Sequence, residues 1–277
     1  MNVWLGVTIG AMAVAVSGVA AAADVEIRNA AARVTVIPEA RSDIVVSVYR
    51  THPRLPLRVY RLGDTVRIDG GLGIRSPNCR SLFGRKGVSV WGAGFTPYEA
   101  LPQVMIRTPM NVKVKAGGAV FGVIGRSDSV ELANAGCGDW TVANVSGPAD
   151  VRVAGSGDVH AGSVGSAEVR ISGSSDISFS DVRNGLTTST SGSGDLRAGL
   201  VNGPLHVRVA GSGDVIARSG QVTDMTVQVA GSGDVRFGGV ARSLQAAVAG
   251  SGDIAVGRVT GPITKHVAGS GSVNVGG

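Results

Sequence analysis

Apolar and polar residues alternate along much of the second half of the chain. In the segment DVRVAGSGDV, Arg152 separates Val151 from Val153, and the same alternation surrounds Val207 and Val209. A period of two places successive side chains on opposite faces of the backbone, which predicts β-strands rather than helices. A second short apolar stretch follows each turn, as in DIAVGRV. Each unit therefore contains two short strands joined by a turn.

The turn between these strands recurs at a nearly constant interval. Gly-x-Gly-Asp, or a close variant, ends at Asp139, Asp158, Asp176, Asp195, Asp214, Asp234 and Asp253. The successive gaps are 19, 18, 19, 19, 20 and 19 residues, and a last copy ends in Ser272. A unit of this size cannot bury its own apolar face, so it must stack on its neighbours.

Stacked units of this size predict a parallel β-helix, in which equivalent strands of successive coils pair about 4.8 Å apart. A left-handed coil built on hexapeptides would have a spacing in multiples of about six, so the observed spacing favours a right-handed coil. A β-propeller is the alternative, but its blades need about 40 residues. We expect an all-β, right-handed parallel β-helix over residues 112–277. Residues 24–111 are expected to form an irregular β N-terminal part that caps it.

Composition supports this fold and limits the function. The chain has 43 Gly but only 3 Trp, 3 Tyr and 5 Phe, which fits a thin core of small aliphatic side chains between tight turns. The net charge is +6, but the basic residues are scattered and form no long run. We therefore expect no specific nucleic-acid binding, and salt would weaken any attraction to anionic polymers.

Residues 1–23 have the pattern of a signal peptide. An apolar stretch from Val3 to Val19 ends in small residues, with an Ala-x-Ala site at residues 21–23 just before Asp24. The segment before this stretch has no Lys or Arg, and a retained membrane anchor is the alternative. We predict cleavage before Asp24 and a mature protein without a membrane span, located in the periplasm, secreted or at the cell surface.

The chain contains two cysteines, Cys79 and Cys137. An even number of cysteines in an exported protein predicts a disulfide. Two separate buried thiols are the alternative, because the sequence does not fix the distance between the two Cα atoms. A bridge would join the N-terminal part to the first regular coil.

The repeated Asp residues allow two interpretations. A calcium ladder would need about six to eight oxygen ligands per ion, but no second acidic residue recurs at a fixed offset. In a structural corner, the glycines take positive φ, for example at Gly213, and the Asp carboxylate accepts hydrogen bonds from the backbone. We favour the structural corner and predict no metal site and no other cofactor.

The longest non-repetitive stretch, residues 70–102, combines basic and aromatic side chains. The candidate ligand patch consists of Arg80, Arg85, Lys86, Trp91 and Tyr98. Stacking by rings and charge pairing by Arg are typical of sites for glycans and anionic polymers. The alternative, which we favour, is a capping loop with buried rings and solvated charges. A glycan or another surface polymer is the candidate partner, and the oligomeric state is left open.

The recurrent Gly-Ser-Gly-Asp turns, together with the signal peptide, resemble the auto-transporter adhesin head GIN domain family. The resemblance covers approximately Val112–Gly277. It implies a right-handed β-helix in an exported bacterial protein, with an adhesin-like role at the cell surface.

No catalytic residue is predicted. The four histidines, at non-equivalent positions, indicate neither a metal site nor a Ser-His-Asp triad. We expect an exported, non-catalytic protein with an adhesive or binding role, and the alternative is a carbohydrate-active β-helix enzyme that acts on an anionic polysaccharide. A cleft beside residues 70–102 lined by two carboxylates, or by a carboxylate with Lys or Arg, would favour the enzyme. A smooth prism would favour the binding role.

Overall fold

The chain is an all-β solenoid in a computed structural model that describes residues 13–14, 24–73, 77–82 and 84–276. The predicted signal peptide and its cleavage site lie outside these residues, apart from Ala13 and Val14. Within the described ranges there is no α-helix, and a 3₁₀ turn spans Tyr98–Ala100. About nine turns stack with a spacing of ~19 residues, which confirms the predicted β-solenoid.

The strands fall into an N-terminal group and a group of stacked coils. The N-terminal strands are β1 (Ala13–Val14), β2 (Asp24–Pro38), β3 (Val45–Arg50), β4 (Arg58–Leu62), β5 (Thr65–Asp69), β6 (Asn78–Leu82), β7 (Arg85–Val90), β8 (Gly94–Pro97) and β9 (Gln103–Thr108). The later strands are β10 (Asn111–Ile124), β11 (Ser129–Gly136), β12 (Trp140–Val142), β13 (Pro148–Gly155), β14 (Val159–Ala161), β15 (Ser166–Gly173), β16 (Ile177–Val182), β17 (Leu186–Gly192), β18 (Leu196–Val201), β19 (Gly203–Gly211), β20 (Val215–Ser219), β21 (Gln221–Gly231), β22 (Val235–Gly250), β23 (Ile254–Val259), β24 (Ile263–Gly269) and β25 (Val273–Val275).

Each regular coil consists of a first strand, a Gly-x-Gly-Asp turn and a second strand. In one coil these are β13, the turn that ends at Asp158, and β14. β13 pairs in parallel with β11 and β15, while β14 pairs in parallel with β12 and β16. Equivalent strands of all coils thus form two parallel ladders, the first-strand ladder and the second-strand ladder.

The core lies between the two ladders and consists mainly of small aliphatic side chains. Val151 and Val153 are buried, whereas Arg152 between them is exposed. Because equivalent residues of successive coils are in register, Val169 stacks on Val151. Burial of one such side chain contributes about 1.5–3 kcal/mol, so the stacked columns supply the stability that a single coil lacks.

The two glycines of the turn have different roles. The first takes positive φ, as at Gly211 with φ +142°. Gly213, where we expected positive φ, does not have it, so that expectation is wrong. A Cβ at Gly213 would instead lie 2.2 Å from the carbonyl oxygen of Gly194 in the preceding coil. The second glycine is therefore needed for the close stacking of successive turns.

Strand β2 is a complete coil inside the solenoid. Its first part pairs in parallel with β5 and β10, and its second part pairs in parallel with β9 and β10. The first described coil in sequence therefore lies between the coil formed by β5 with β9 and the coil formed by β10. The solenoid thus extends beyond residues 112–277, and the expected boundary at residue 111 does not separate it from the cap.

Antiparallel strands cover the end of the solenoid next to β5 and β9. β4 pairs with β5, β3 pairs with β9, and β1 pairs with β3. Between β5 and β9 the chain leaves the coil and forms a separate antiparallel sheet of β6, β7 and β8. A small second core, which includes Leu72, Val88 and Leu101, lies beneath this sheet.

Candidate functional site

The Asp residues of the turns form one row along an edge of the solenoid. The backbone N–H of each Asp from Asp158 to Asp253 donates to Oδ1 of the Asp in the preceding coil, at distances between 2.9 and 3.2 Å. At the last step, the N–H and the hydroxyl of Ser272 both donate to Asp253 Oδ1. One oxygen of each carboxylate is therefore used to join two coils.

Arginine side chains neutralise part of this row. Arg197 contacts Asp195 at 2.7 Å and Asp176 at 3.4 Å, and Arg236 contacts Asp234 at 2.7 Å. Among the residues that the structure describes, no three His, Cys, Asp or Glu side chains are close enough to hold a metal ion together. One oxygen of each carboxylate in the row already accepts a backbone hydrogen bond from the next coil.

Residues 70–102, which we call the cap loop, take the place of a turn in the coil of β5 and β9. β5 belongs to the first-strand ladder and β9 to the second-strand ladder, because they pair with the two parts of β2. The cap loop therefore projects from the edge that carries the Asp row in later coils. Arg85, Lys86 and Tyr98 of the cap loop line a groove together with Asp139, the first residue of that row.

A disulfide joins the cap loop to the first Gly-x-Gly-Asp turn. Cys79 in β6 is bonded to Cys137, with a Cα–Cα distance of 5.7 Å. Cys137 occupies the position that Ser212 and its equivalents hold in other turns. The bond therefore fixes the cap loop against the turn of Asp139.

A groove of about 510 Å³ lies between the cap loop and the neighbouring coils. On the cap-loop side it is lined by Gly84, Arg85, Lys86, Tyr98 and Glu99, and on the solenoid side by Phe121, Gly122, Val123, Asp139 and Thr141. A smaller pocket of about 170 Å³ shares Lys86, Phe121 and Asp139 with it and adds Arg80 beside the disulfide. The two cavities form one candidate binding site, which we call the cap groove.

Basic side chains dominate the charge of the cap-loop wall. Arg85 lies 3.7 Å from Glu99, and both side chains are mostly exposed. Arg80 and Lys86 are also exposed, and no carboxylate of the described residues lies within ion-pair distance of either. An anion that enters the cap groove would therefore meet cations that are not already neutralised.

The structure brings four of the five candidate patch residues to the cap groove and leaves one apart. Arg80, Arg85, Lys86 and Tyr98 line it, whereas Trp91 lies in the turn after β7 and is 84% exposed. The ring of Tyr98 is already engaged, because the Arg33 guanidinium lies 4.4 Å from its centroid and Phe121 packs edge-on at 5.1 Å. Tyr98 thus anchors the cap loop to the solenoid.

Three residues of the cap groove were missed in the sequence analysis as candidates for binding: Glu99, Phe121 and Val123. Phe121 is half-buried and Val123 is 48% exposed, so both present apolar surface to the groove. A sequence signal exists for Phe121, because it precedes Asp139 by 18 residues and thus stands where the next coils have Asp.

The cap groove contains the features that we named as favouring an enzyme. Glu99 and Asp139 both line it, together with Arg85 and Lys86. The solenoid is therefore not a smooth prism. However, Glu99 is 71% exposed, and one oxygen of Asp139 accepts the N–H of Asp158 at 3.2 Å. Neither carboxylate is enclosed in a buried, apolar site.

Two carboxylates with shifted pKa values lie outside the cap groove. Burial raises the pKa of Glu26, but hydrogen bonds from Arg67 and Arg28 outweigh this effect and bring the pKa below its ordinary value. Burial raises the pKa of Asp150, and the charge of Arg152 opposes the rise. Both side chains lie on the outer face of the first-strand ladder, where they contribute to the packing of coils.

A second, shallow groove of about 660 Å³ lies on the outer face of the first-strand ladder. It runs along the solenoid axis beside the exposed Ala210, Ala230 and Ala249, with Arg208 and His266 on its other side. The groove is a consequence of regular stacking, because small residues recur at the same position in each of these coils.

Comparisons with known proteins agree with this architecture. No curated protein matches the chain in sequence. A crystal structure titled a putative lipid binding protein, from Parabacteroides distasonis, is 19% identical, with a TM-score of 0.54 and 94% of each chain covered. A putative adhesin from Bacteroides fragilis is 14% identical over 91% of each chain, with a TM-score of 0.46. At these identities, only the fold of the first is informative.

One family model also matches. Its description is "Putative auto-transporter adhesin, head GIN domain", and it covers residues 165–277. The match begins later than the expected start at Val112 but includes the most regular coils. None of the described segments forms an apolar helix of membrane-spanning length. The resemblance predicted from the repeated turns is therefore confirmed over residues 165–277, which match the model of this family.

Proposed function

We propose that the protein is an exported, non-catalytic binding protein with an adhesive role in the periplasm or at the cell surface. We further propose that the cap groove binds an anionic glycan of a surface polymer. The single observation that carries this proposal is the set of unpaired basic side chains, Arg80 and Lys86, beside the apolar floor of Phe121. Charge pairing combined with an apolar contact is suited to acidic sugars.

The family description supports an adhesive role, because residues 165–277 match an adhesin head domain. The similar fold in a protein titled lipid binding raises a lipid headgroup as another anionic ligand. We favour the glycan, because the cap groove is an open groove at the side of a rigid solenoid and has no deep apolar cavity for acyl chains.

Export is the second part of the proposal. The disulfide between Cys79 and Cys137 fits an oxidising compartment. Strand β2 begins at Asp24, so cleavage after Ala23 would leave the first coil complete. N-terminal sequencing of the protein from its native host tests this: a mature chain that begins at Asp24 is expected, and an intact residue 1–23 segment would contradict it.

Binding is tested on a glycan array with residues 24–277. We expect binding to glycans with carboxylate or sulfate groups, and weaker binding as salt rises. The double variant Arg80→Ser, Lys86→Ser should lose about tenfold in affinity or more. The matched control is Arg236→Ser, which removes an exposed arginine far from the cap groove and should leave binding unchanged.

Three results would contradict the proposal. They are binding only to neutral glycans, equal losses in the groove variant and in Arg236→Ser, and binding to anionic lipid vesicles with no binding to any glycan. The last result would indicate that the cap groove binds a lipid headgroup instead of a glycan.

A carbohydrate-active enzyme is the second candidate, because Glu99 and Asp139 share the cap groove with Arg85 and Lys86. Cleavage of an anionic polysaccharide by a pair of carboxylates needs one of them to act as a general acid in a partly desolvated site, and the 71% exposure of Glu99 argues against this role. If the protein is such an enzyme, new reducing ends should appear when the polysaccharide is incubated with the unmodified protein and should not appear with Glu99→Gln. Our proposal of a non-catalytic protein predicts no new reducing ends with the unmodified protein or with the variant.

A further inference from the structure

The last described coil departs from the core pattern at one position. The middle inward-facing residue of the first strand is the same structural position in every regular coil. Its occupants are Val151, Val169, Thr188, Val207, Val227 and Ala246, all at most 3% exposed. In β24 this position is held by Lys265, which is in register with Ala246.

The side chain of Lys265 lies across the end of the core. Its Nζ donates a hydrogen bond to the carbonyl oxygen of Val273 at 2.9 Å. Lys265 is in the first-strand ladder and Val273 is in the second-strand ladder, and the core lies between these ladders. The methylene stem can therefore cover apolar surface while the ammonium group reaches a polar partner. The small side chain of Ala246 leaves room for the stem.

This end of the solenoid would otherwise favour association. In the described part of the chain, β24 pairs only with β22, and β25 pairs only with β23, so each has a free backbone edge. Ile263 and Val267 face inward but are 43% and 46% exposed. A free edge with apolar side chains is a template for pairing with another chain, and an inward-pointing charge is a known way to prevent it.

We propose that Lys265 is a gatekeeper that prevents the end face of β24 and β25 from stacking on a second copy of the chain. A coil stacked there would bury the ammonium group with one hydrogen bond and no carboxylate partner. Burial of an unpaired charge is strongly unfavourable. At the opposite end, the antiparallel strands β3 and β4 cover the edges of β9 and β5.

Sedimentation velocity of residues 24–277 at rising protein concentration tests the proposal. The unmodified protein is expected to remain monomeric. Lys265→Val and Lys265→Met, which keeps the stem but removes the charge, should both form dimers or larger species whose fraction increases with concentration. The matched control is His266→Val, which adds the same side chain on the outer face of the same strand and should remain monomeric.

Circular dichroism and thermal unfolding separate association from misfolding. A folded, monomeric Lys265→Met at the highest concentration would overturn the proposal. So would equal association of His266→Val and Lys265→Val. If Lys265→Val fails to fold, Lys265→Met decides the outcome alone, because it retains the length and apolar part of the lysine side chain.

Discussion

The same corner of the solenoid is built in two ways. In the regular coils three residues, such as residues 156–158, connect the first strand to the second, and the Asp carboxylate joins one coil to the next. In the coil of β5 and β9, the connection is the cap loop of residues 70–102, with its own sheet and a small core. The short turn serves to stack one coil on the next. The cap loop also has side chains, such as Arg80 and Lys86, that are not needed for the packing of coils.

This difference is the reason that our proposal places ligand binding in the cap loop rather than in the repeated turns. A repeated turn must satisfy the same stacking geometry in every coil, which restricts its residues to glycine, small side chains and Asp. The cap loop is fixed to the solenoid by the disulfide, by the contacts of Tyr98 and by a hydrogen bond from Arg54 to the Ala93 carbonyl oxygen. Arg80 and Lys86 take part in none of these contacts.

The largest expected effect comes from removal of the disulfide. The double variant Cys79→Ser, Cys137→Ser places at residue 137 the serine that other turns have. The bond spans 58 residues, so its loss should cost about 4 kcal/mol in the chain-entropy model. Urea denaturation measures the change. Reduced, unmodified protein is the control and should match the variant, and a loss below about 1 kcal/mol would contradict the role of the bond.

The next effect tests the glycines of the short turn. Gly211→Ala should cost about 3 kcal/mol, because the residue has φ +142° and the new Cβ would lie 2.3 Å from the Gly192 carbonyl oxygen. Ser212→Ala is the matched control. Ser212 lies between the two glycines of the same turn, is exposed and already has a Cβ, so its substitution should cost little. Thermal or urea unfolding measures the loss of stability in each variant. Equal losses in Gly211→Ala and in the control would contradict a special backbone requirement at Gly211.

The regular coils could be predicted from sequence because their determinants are local. Alternation at a period of two identifies the inward-facing residues, and a spacing near 19 brings equivalent residues of successive coils into register. The stacking of Val169 on Val151 can therefore be derived by counting residues. The placement of β2 could not be predicted. Its alternation is the same as that of β5, β9 and β10, and nothing in a local pattern states which of these strands will be its neighbours.

The candidate site was predictable only in part, for the same reason. The basic residues of the cap loop stand out in composition, and Arg80, Arg85 and Lys86 do line the cap groove. The opposite wall depends on where the loop folds back. Phe121 could be assigned to the site only once β2 was placed between β10 and the coil of β5 and β9, which we call the cap coil.

A third prediction concerns the charges that fix the cap coil. Glu26 in β2 contacts Arg67 in β5 at 2.7 Å and is 14% exposed. Its pKa lies below the ordinary value of 4.5, so the folded state favours the ionised form. The resulting stabilisation is present above about pH 4.5 and is lost as pH falls through the lower pKa of the folded state. Glu26→Gln should therefore cost about 1 kcal/mol near neutral pH.

Urea denaturation at neutral pH and at a pH below the folded-state pKa measures this dependence. The difference between Glu26→Gln and the unmodified protein should vanish at the lower pH. Glu168→Gln is the control, because Glu168 pairs with Arg170 on its own strand, with both side chains about half exposed. A loss for Glu26→Gln that is unchanged with pH would show that its charge does not hold the cap coil.

The smallest expected effect distinguishes an architectural Asp row from a metal ladder. Asp214 Oδ1 accepts the N–H of Asp234 at 2.9 Å, and the amide oxygen of Asn can accept the same bond. Asp214→Asn should thus change stability by no more than about 0.5 kcal/mol, since it also relieves repulsion along the row. Asp214→Ala leaves the N–H of Asp234 without a partner and should cost about 1–2 kcal/mol. Calcium should leave the Tm unchanged, because a ligand that binds only the folded state must raise it. A rise of several degrees with calcium that disappears in Asp214→Asn would establish a metal ladder, and the repeated turns would then share in function with the cap loop.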